Sequence, residues 1–263
     1  MTISDDLRHD RRDANRPGLA AGVVLSKSRK TNLAAVSRRR ASPIRAYVGP
    51  NGGGKTLAMV RDVLPSLDAG RRVCSTVPLY VEPGVLHPAY EPFTSWVQLL
   101  EAEHTDFLLD EISGVASSRD YAALHPDVIN ALNQLRKPDN TVSWSGPAWA
   151  RSDKVIREVT QLVVECRGYM RDTSGTKGDD AAVLWAPRRL FRWRGYDMRE
   201  FDEWSAGKRE KAHADVREWF WGPGSREFAS YSTLNAVARV EPYDPRVCRT
   251  CGKVRRAEYC KGH

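Results

Sequence analysis

"RAYVGPNGGGKTLAMVRDVL", residues 45–64, places a proline, an asparagine and three consecutive glycines between an apolar run and a run with helical spacing. Gly49, Gly54, Lys55 and Thr56 fit the pattern G-x-x-x-x-G-K-[ST], in which a loop between a strand and a helix holds phosphate. Glycine suits such a loop because a chain without Cβ atoms can approach an anion closely and can adopt positive φ. The segment therefore predicts a nucleotide loop.

Each part of this loop has an expected task. The helix is predicted to begin near Lys55, so that its partial positive end faces the phosphates. Lys55 is expected to reach the β- and γ-phosphates of ATP, and the Thr56 hydroxyl is expected to ligate Mg²⁺. The predicted nucleotide-binding residues are Gly49, Pro50, Asn51, Gly52, Gly53, Gly54, Lys55, Thr56 and Leu57.

A pair of acidic residues follows the apolar run "TDFLLDEI", residues 105–112. A short apolar run of this kind predicts a buried parallel strand with the two carboxylates at its carboxyl end. Asp110 is the expected second Mg²⁺ ligand, and Glu111 is the expected catalytic base that orients or deprotonates the attacking water. A water-activating base favours an ATPase over a small-metabolite kinase.

Strand-like and helix-like segments alternate along the chain, which predicts a mainly parallel sheet with right-handed crossovers, flanked by helices. Residues 82–93 contain three prolines and are predicted to be loop. The predicted strands are 44–48, 71–79, 105–112, 141–146, 162–170 and one or two more within 182–196. The predicted helices are 55–64, closed by Pro65, then 95–103, 125–139, 152–161 and 198–221.

The sequence also offers candidates for two further catalytic groups, a cation supplied by a neighbouring subunit and a polar sensor. Ring-shaped motors complete hydrolysis with a cation from a neighbouring subunit, and Arg157 and Arg136 are the candidates. Either arginine could instead be an ordinary helix-surface residue. A polar sensor is expected at the end of the fourth strand, where Ser145 is preferred over Ser143 because it lies nearer the carboxyl end.

The net charge of +8 resides in the two ends of the chain. Residues 1–43 hold ten lysines and arginines against four aspartates, and residues 246–263 hold six against one glutamate. Residues 1–43 are predicted to be a disordered basic arm. Such ends are typical of proteins that contact DNA or another polyanion, and a solubilising tail is the alternative.

The five cysteines fall into two groups. Cys74 and Cys166 lie in predicted strands and are expected to be buried small apolar residues. The remaining three belong to "CRTCGKVRRAEYCKGH", whose spacing favours a structural Zn²⁺ in a small knuckle that contacts nucleic acid or protein, or only staples the fold. The predicted ligands are Cys248, Cys251, Cys260 and His263.

The stretch "RRLFRWRGY", residues 188–196, interleaves arginines with aromatic residues. Along a strand, Arg192 and Arg194 share one face, and Phe191 and Trp193 share the other. This pattern is typical of a half-buried edge strand. A basic strand that faces DNA is the alternative.

Three stretches, "AYVGPNGGGKTLAMV", "FLLDEISG" and "WARSDKVIREVTQLVVECRGY", together resemble the Zot-like (zonular occludens toxin domain) P-loop ATPases of phages and actinobacterial mobile elements, within the FtsK/HerA class of DNA-pumping ATPases. The resemblance covers residues 44–200. It implies a RecA-like sheet, a homo-oligomeric ring, ATP and Mg²⁺ as cofactors, and nucleotide and metal binding by Lys55, Thr56 and Asp110, with Glu111 as the base.

The chain departs from this family in two ways. Filamentous-phage members carry a membrane span after the ATPase domain, and the sequence has no run of about 18 apolar residues. This difference favours a packaging or transfer ATPase over an extrusion machine. The fourth strand runs into "SGPAWAR", where relatives often show a glutamine, so the sensor assignment to Ser145 rests on position alone.

Taken together, the sequence predicts a RecA-like α/β domain at 44–200, a helical or irregular extension at 201–245 and a zinc knuckle at 246–263. The predicted function is Mg²⁺-dependent ATP hydrolysis that drives DNA translocation in phage packaging, assembly or mobile-element transfer. DNA and a capsid or membrane complex are the expected partners, in the cytoplasm of a bacterial host or associated with the virion. The alternative is a nucleotide-gated DNA-binding or adaptor protein that does not translocate DNA.

Overall fold

The computed structural model describes residues 41–112, 125–171, 188–232 and 240. The described strands are β1 Ile44–Val48, β2 Arg72–Ser75, β3 Tyr80–Glu82, β4 Val85–Leu86, β5 Tyr90–Pro92, β6 Thr105–Leu109, β7 Thr141–Gly146, β8 Leu162–Arg171, β9 Arg188–Asp197 and β10 Val216–Trp221. The described helices are α1 Lys55–Asp68, α2 Trp96–Glu101, α3 Pro126–Asn133, α4 Lys154–Val159, α5 Met198–Ser205 and α6 Arg226–Ala229, with a 3₁₀ turn at Trp149–Arg151.

Eight of these strands form one sheet in the order β10-β9-β8-β1-β7-β6-β2-β5. The six strands from β8 to β5 run parallel, and β9 and β10 extend the sheet in antiparallel fashion. The predicted mainly parallel sheet flanked by helices is confirmed. Because parallel strands share one carboxyl edge, the loops after β1, β2, β6 and β7 meet there.

Two apolar layers cover the two faces of the sheet. The layer that contains α1 buries Leu57, Val60 and Val63 against Tyr47 and Leu108 of the sheet. The opposite layer is built on Trp144 and on aromatic residues of α2 and α5. The sheet is therefore buried on both faces along β1, β6 and β7, as the apolar runs predicted. The predicted burial of Cys74 and Cys166 is confirmed.

Helix α1 is longer than predicted and passes through Pro65 to Asp68. The last turn holds Leu64 and Leu67, which are both buried. Proline costs a helix one backbone hydrogen bond, and burial of two leucines offsets that cost. The prediction that Pro65 ends the helix is therefore wrong.

Residues 82–93 form more than the predicted loop. β3 and β4 pair as a small antiparallel hairpin, and β5 adds a parallel edge strand beside β2. Pro92 ends β5. Proline is tolerated there because an edge strand leaves part of its backbone unpaired.

The predicted helix over residues 198–221 is wrong in its second half. α5 ends at Ser205, and Val216–Trp221 form strand β10. In β10 the half-buried Glu218 and Phe220 alternate with exposed residues, which is the two-residue period of a strand. Among the described residues, no helix is long and apolar enough to cross a membrane.

Candidate nucleotide site

The glycine loop joins β1 to α1 at the carboxyl edge of the sheet. Gly52 and Gly54 have φ of 71° and 80°, in the left-handed region that favours glycine. The amide of Gly53 donates to the carbonyl of Pro50 at 2.9 Å, which closes a tight turn with Asn51 exposed at its tip.

The start of α1 has no cap of its own. Gly54 offers no side-chain cap, and the first turn contains no acidic residue. The first amides of a helix have no acceptor within the helix, and they carry its partial positive charge. Leu57 is buried beneath the loop and anchors this turn. The fourteen-residue helix therefore presents an amino end without a side-chain cap to the space above the loop.

Strand β8 forms a wall against which the loop lies. A Cβ atom on Gly53 would stand 2.8 Å from the carbonyl oxygen of Cys166, and one on Gly49 would lie nearer still. A Cβ on Gly168 would strike the carbonyl oxygen of Gly52. Glycine is thus required on both sides of this contact, because no other residue allows the two backbones to approach so closely.

Lys55 extends back into the curve of the loop. Its Nζ donates to the carbonyl oxygens of Gly49 and Pro50, at 3.1 and 3.3 Å, and the residue is only 8% exposed. The same charge lies near the buried Cys166 thiol, whose pKa is raised mainly by burial and is lowered in part by Lys55. The geometry places one ammonium group at the centre of the phosphate loop.

Thr56 and Asp110 are in direct contact. The Thr56 hydroxyl donates to Oδ2 of Asp110 at 2.8 Å, and Asp110 lies just after β6 and is 8% exposed. The structure therefore brings together the two predicted Mg²⁺ ligands, which are 54 positions apart in sequence.

Strand β7 lies between β1 and β6 and contributes Ser145 to the same edge. The Ser145 hydroxyl donates to Oδ1 of Asp110 and accepts from the amide of Glu111 at 2.9 Å. Ser145 thus holds both acidic residues in register. Ser143 lies one pleat nearer the middle of β7 and is buried, and Ser145 is the serine that reaches the acidic pair.

Glu111 is exposed beside the buried Asp110. Its φ of 51° lies in the left-handed region, which is uncommon for a residue with a side chain. This conformation ends β6 and turns the chain away from the sheet. A carboxylate at this position is available to solvent at the carboxyl edge, as a base for an attacking water requires.

Two neighbours of Asp110 were not predicted from the sequence. The amide of Asp110 donates to the Thr76 hydroxyl at 2.8 Å, and Thr76 follows β2. Burial raises the pKa of the Tyr231 phenol, and the nearby Asp110 carboxylate raises it further. The polar pair that follows the apolar run of β2 was a signal for Thr76, whereas Tyr231 is brought close only by the tertiary fold.

The oxygen atoms at this edge fit a divalent cation. Mg²⁺ prefers oxygen ligands and is commonly bound by one carboxylate together with a hydroxyl and phosphate oxygens. Thr56 and Asp110 supply such a hydroxyl and carboxylate within hydrogen-bond distance of each other. Ser145 donates to the Asp110 carboxylate and orients it, and Thr76 holds the Asp110 backbone through its amide.

The two candidate arginines lie away from this edge of their own chain. Arg157 on α4 pairs with Asp202 at 3.1 Å and lies 5.7 Å from the ring centre of Trp149. Arg136 follows α3, is exposed, and approaches the Ala41 carbonyl before β1 at 3.4 Å. The structure thus brings neither arginine to the Thr56–Asp110 pair.

The predicted zinc ligands Cys248, Cys251, Cys260 and His263 lie outside the described residues. Within the described part of the chain, no cluster of three or more histidine, cysteine or acidic residues could hold a metal ion. The predicted basic arm, residues 1–43, also falls almost entirely outside the described ranges.

Three solved structures illustrate what this chain is similar to. The N-terminal domain of zonular occludens toxin from Neisseria meningitidis has 13% identity and a TM-score of 0.46, over 73% of this chain and 99% of that one. The DNA-packaging ATPase B204 from Sulfolobus turreted icosahedral virus has 14% identity and a TM-score of 0.39, over 66% and 98%. The flagellar accessory protein FlaH from Methanocaldococcus jannaschii has 10% identity and a TM-score of 0.36, over 59% and 77%.

No protein-family model and no curated protein matches the chain. The structural matches have TM-scores below 0.5. Functional conclusions therefore rest on the geometry of the residues themselves.

Proposed function

We propose that this chain is a Zot-like P-loop ATPase of the FtsK/HerA class that hydrolyses ATP with Mg²⁺ and uses the energy to move DNA. One observation carries the ATPase part of the proposal. Lys55, Thr56 and Asp110 meet at one edge of the sheet, beside an uncapped helix start and a loop that only glycines can form. This is the donor set that a magnesium–triphosphate needs.

Each residue has a distinct role in this proposal. The loop amides and the Lys55 ammonium bind the phosphate oxygens, and they neutralise the charge that develops as the terminal phosphoryl group leaves. Thr56 and Asp110 would hold a Mg²⁺ ion, which would screen the phosphate charges. Glu111 orients the attacking water and accepts its proton, and Ser145 keeps Glu111 and Asp110 in place.

DNA as the moving partner is supported by the distribution of charge. The ends 1–43 and 246–263 carry a sum of +11, and the rest of the chain carries −3, which together give the net +8. Basic segments attached to a nearly neutral ATPase domain suit contact with a polyanion. In this proposal the chain works as a homo-oligomeric ring, and Arg157 or Arg136 reaches the nucleotide of the neighbouring subunit.

ATP hydrolysis with and without DNA tests the proposal. We expect DNA to stimulate hydrolysis by the full chain in the presence of Mg²⁺. Lys55→Ala and Glu111→Gln are each expected to lower the stimulated rate by about 100-fold or more, in line with the loss of charge stabilisation or of a general base. Glu103→Gln is the matched control because Glu103 is exposed before β6 and away from the site.

The DNA-moving ATPase and the adaptor protein predict different results in this experiment. A rate that responds neither to DNA nor to Glu111→Gln would favour the nucleotide-gated DNA-binding or adaptor protein over the motor. ATP binding that survives Lys55→Ala unchanged would overturn the nucleotide site itself.

We also propose that Cys248, Cys251, Cys260 and His263 bind one structural Zn²⁺. The C-x-x-C and C-x-x-H spacings support this assignment. Metal analysis of the purified chain is expected to give about one zinc per chain, and Cys248→Ser is expected to lose it. Cys74→Ser is the control, because Cys74 is buried in β2. Unchanged zinc content in Cys248→Ser would remove the assignment.

A further inference from the structure

The antiparallel end of the sheet carries a row of arginines on one face. Side chains alternate between the two faces along each strand. The pairing of β8, β9 and β10 therefore brings every second residue of each strand onto this one face. The four arginines on it are Arg167 of β8, Arg192 and Arg194 of β9, and Arg217 of β10. We call this surface the arginine face.

Aromatic rings stand between these arginines. Tyr169 lies two residues from Arg167 on β8, and Trp219 pairs directly with Arg192 across β9 and β10. Trp221 follows on the same face of β10. Trp219 is 58% exposed and Trp221 is 44% exposed, so large apolar rings face solvent on a surface that is otherwise charged.

Arg192 holds part of this face in a fixed arrangement. Its guanidinium carbon lies 5.4 Å from the ring centre of Tyr169 and 5.7 Å from that of Trp219, and the two rings are 5.4 Å apart. These are cation–π distances. The guanidinium group and the two rings are therefore positioned before any ligand arrives.

The charge of the face is one-sided. In the part of the chain that the structure describes, four arginines share this face with one acidic residue, Glu165, which pairs with Arg167 at 2.8 Å. A surface with this excess of guanidinium groups attracts a polyanion, and guanidinium groups bind phosphate in a planar, bidentate manner. The exposed Trp219 and Trp221 rings add a further requirement, since they can stack only on flat groups that are not already stacked in a duplex.

We propose that the arginine face binds single-stranded DNA, with phosphates on the arginines and unpaired bases stacked on Trp219 and Trp221. Basic grooves combined with aromatic stacking positions are how proteins hold single strands without sequence preference. The choice of DNA over RNA rests on the proposed function, whereas the single-strand preference rests on the face alone.

Binding of a fluorescein-labelled oligothymidine to the full chain, without nucleotide, tests the proposal. Trp219→Ala is expected to weaken binding by about five-fold or more, because one stacked base contributes on that scale. Trp219→Phe keeps a stacking surface and is expected to bind nearly as well as the unaltered chain. Val216→Ala is the control, since Val216 is 56% exposed on the same strand but on the opposite face.

The salt dependence of binding measures the phosphate contacts separately. Arg192→Gln is expected to reduce the slope of log K against log salt by about 0.7, the value for one phosphate contact on a single strand. Arg199→Gln on α5, which removes the same charge from an exposed position elsewhere, is expected to leave that slope unchanged.

Three results would overturn the proposal. Equal affinity of the unaltered chain, Trp219→Ala and Trp221→Ala would place binding elsewhere. If a duplex of the same length binds as tightly as the single strand, base stacking does not contribute to binding. If RNA of the same sequence binds more tightly than DNA, the ligand of this face is RNA and not DNA. Basal ATP hydrolysis of Trp219→Ala is expected to be unchanged, so this test and the ATPase test fail independently.

Discussion

The hydroxyl of Thr56, in the first turn of α1, donates a hydrogen bond of 2.8 Å to Oδ2 of Asp110 just after β6. The two residues come from strand–loop segments separated by β7 in the sheet. Their contact is possible because all three strands end at the same edge and because Ser145, at the end of β7, holds the other oxygen of the carboxylate. In the proposed function this pair would hold the Mg²⁺ ion.

Removal of the Thr56 hydroxyl is expected to weaken Mg²⁺-dependent nucleotide binding while it leaves the fold intact. Thr56→Ala deletes one oxygen ligand and leaves Asp110 with Ser145 and Thr76. We expect Thr56→Ala to lose about ten-fold or more of its affinity for ATP with Mg²⁺, measured by titration calorimetry. Thr56→Ser is the control because it keeps the hydroxyl. Equal affinity of Thr56→Ala and the unaltered chain would contradict the metal assignment.

Gly168 on β8 supports the loop without contacting a nucleotide. A Cβ atom there would strike the carbonyl oxygen of Gly52 and would lie 2.8 Å from Cγ of Arg188. Gly168→Ala is therefore expected to displace the loop and to lower ATP affinity. Gly195→Ala is the matched control, because a Cβ on Gly195 meets Val216 at an ordinary 3.4 Å.

Thermal unfolding with and without ATP separates the two effects of Gly168→Ala. We expect a smaller ATP-induced rise in Tm than in Gly195→Ala, since the stabilisation by a ligand follows its affinity. An equal rise in both variants would show that the loop does not depend on β8.

The centre of the sheet and the phosphate loop could be predicted from the sequence because their signals are local. Apolar runs at β1, β6 and β7 and the glycines before Lys55 each specify a conformation by themselves. The predicted meeting of Thr56 and Asp110 followed from the shared carboxyl edge of parallel strands. Ser145 lies at the end of β7 for the same reason, and its role as a sensor stays a prediction.

The parts that failed depend on contacts between distant segments. β10 pairs with β9 along six residues. Val216 and Trp219 also fit a helical spacing, so strand pairing, and not the local sequence pattern, decides the conformation of this segment. The tendency of Pro65 to end a helix is outweighed by the burial of the helix that contains it. Tyr231 reaches Asp110 only because the chain after α6 returns to Leu79 beside β3.

The buried thiol of Cys74 is expected to make the protein less stable in alkali. Burial raises the pKa of Cys74 from 9.0 to about 12, and Glu91 adds to the effect while Arg72 opposes it. The folded state therefore keeps a proton that the unfolded state loses, so this contribution is full below pH 9 and is lost as the pH rises from 9 toward 12.

Urea unfolding at several pH values measures the effect of Cys74. The unaltered chain is expected to lose up to about 1 kcal/mol per pH unit above pH 9 more than Cys74→Ala does. Cys74→Ala has its own cavity cost, so the comparison is between slopes and not between absolute stabilities. Parallel curves for the two proteins would contradict the prediction.

The ring proposal predicts that subunits complement each other. Arg157 and Arg136 lie away from the Thr56–Asp110 pair of their own chain, so either can act only on a neighbour. Mixed rings of Lys55→Ala and Arg157→Ala contain interfaces with an intact nucleotide site facing an intact arginine. We expect such mixtures to regain a measurable fraction of DNA-stimulated hydrolysis, although each variant alone is inactive.

The same mixture with Arg136→Ala distinguishes the two arginines. Only the arginine that acts on the neighbouring nucleotide gives a variant that is inactive alone and is rescued by the Lys55→Ala partner. Arg157 also pairs with Asp202, so Asp202→Asn controls for loss of that ion pair. Activity of both arginine variants alone at the unaltered rate would exclude a cation in trans from either position.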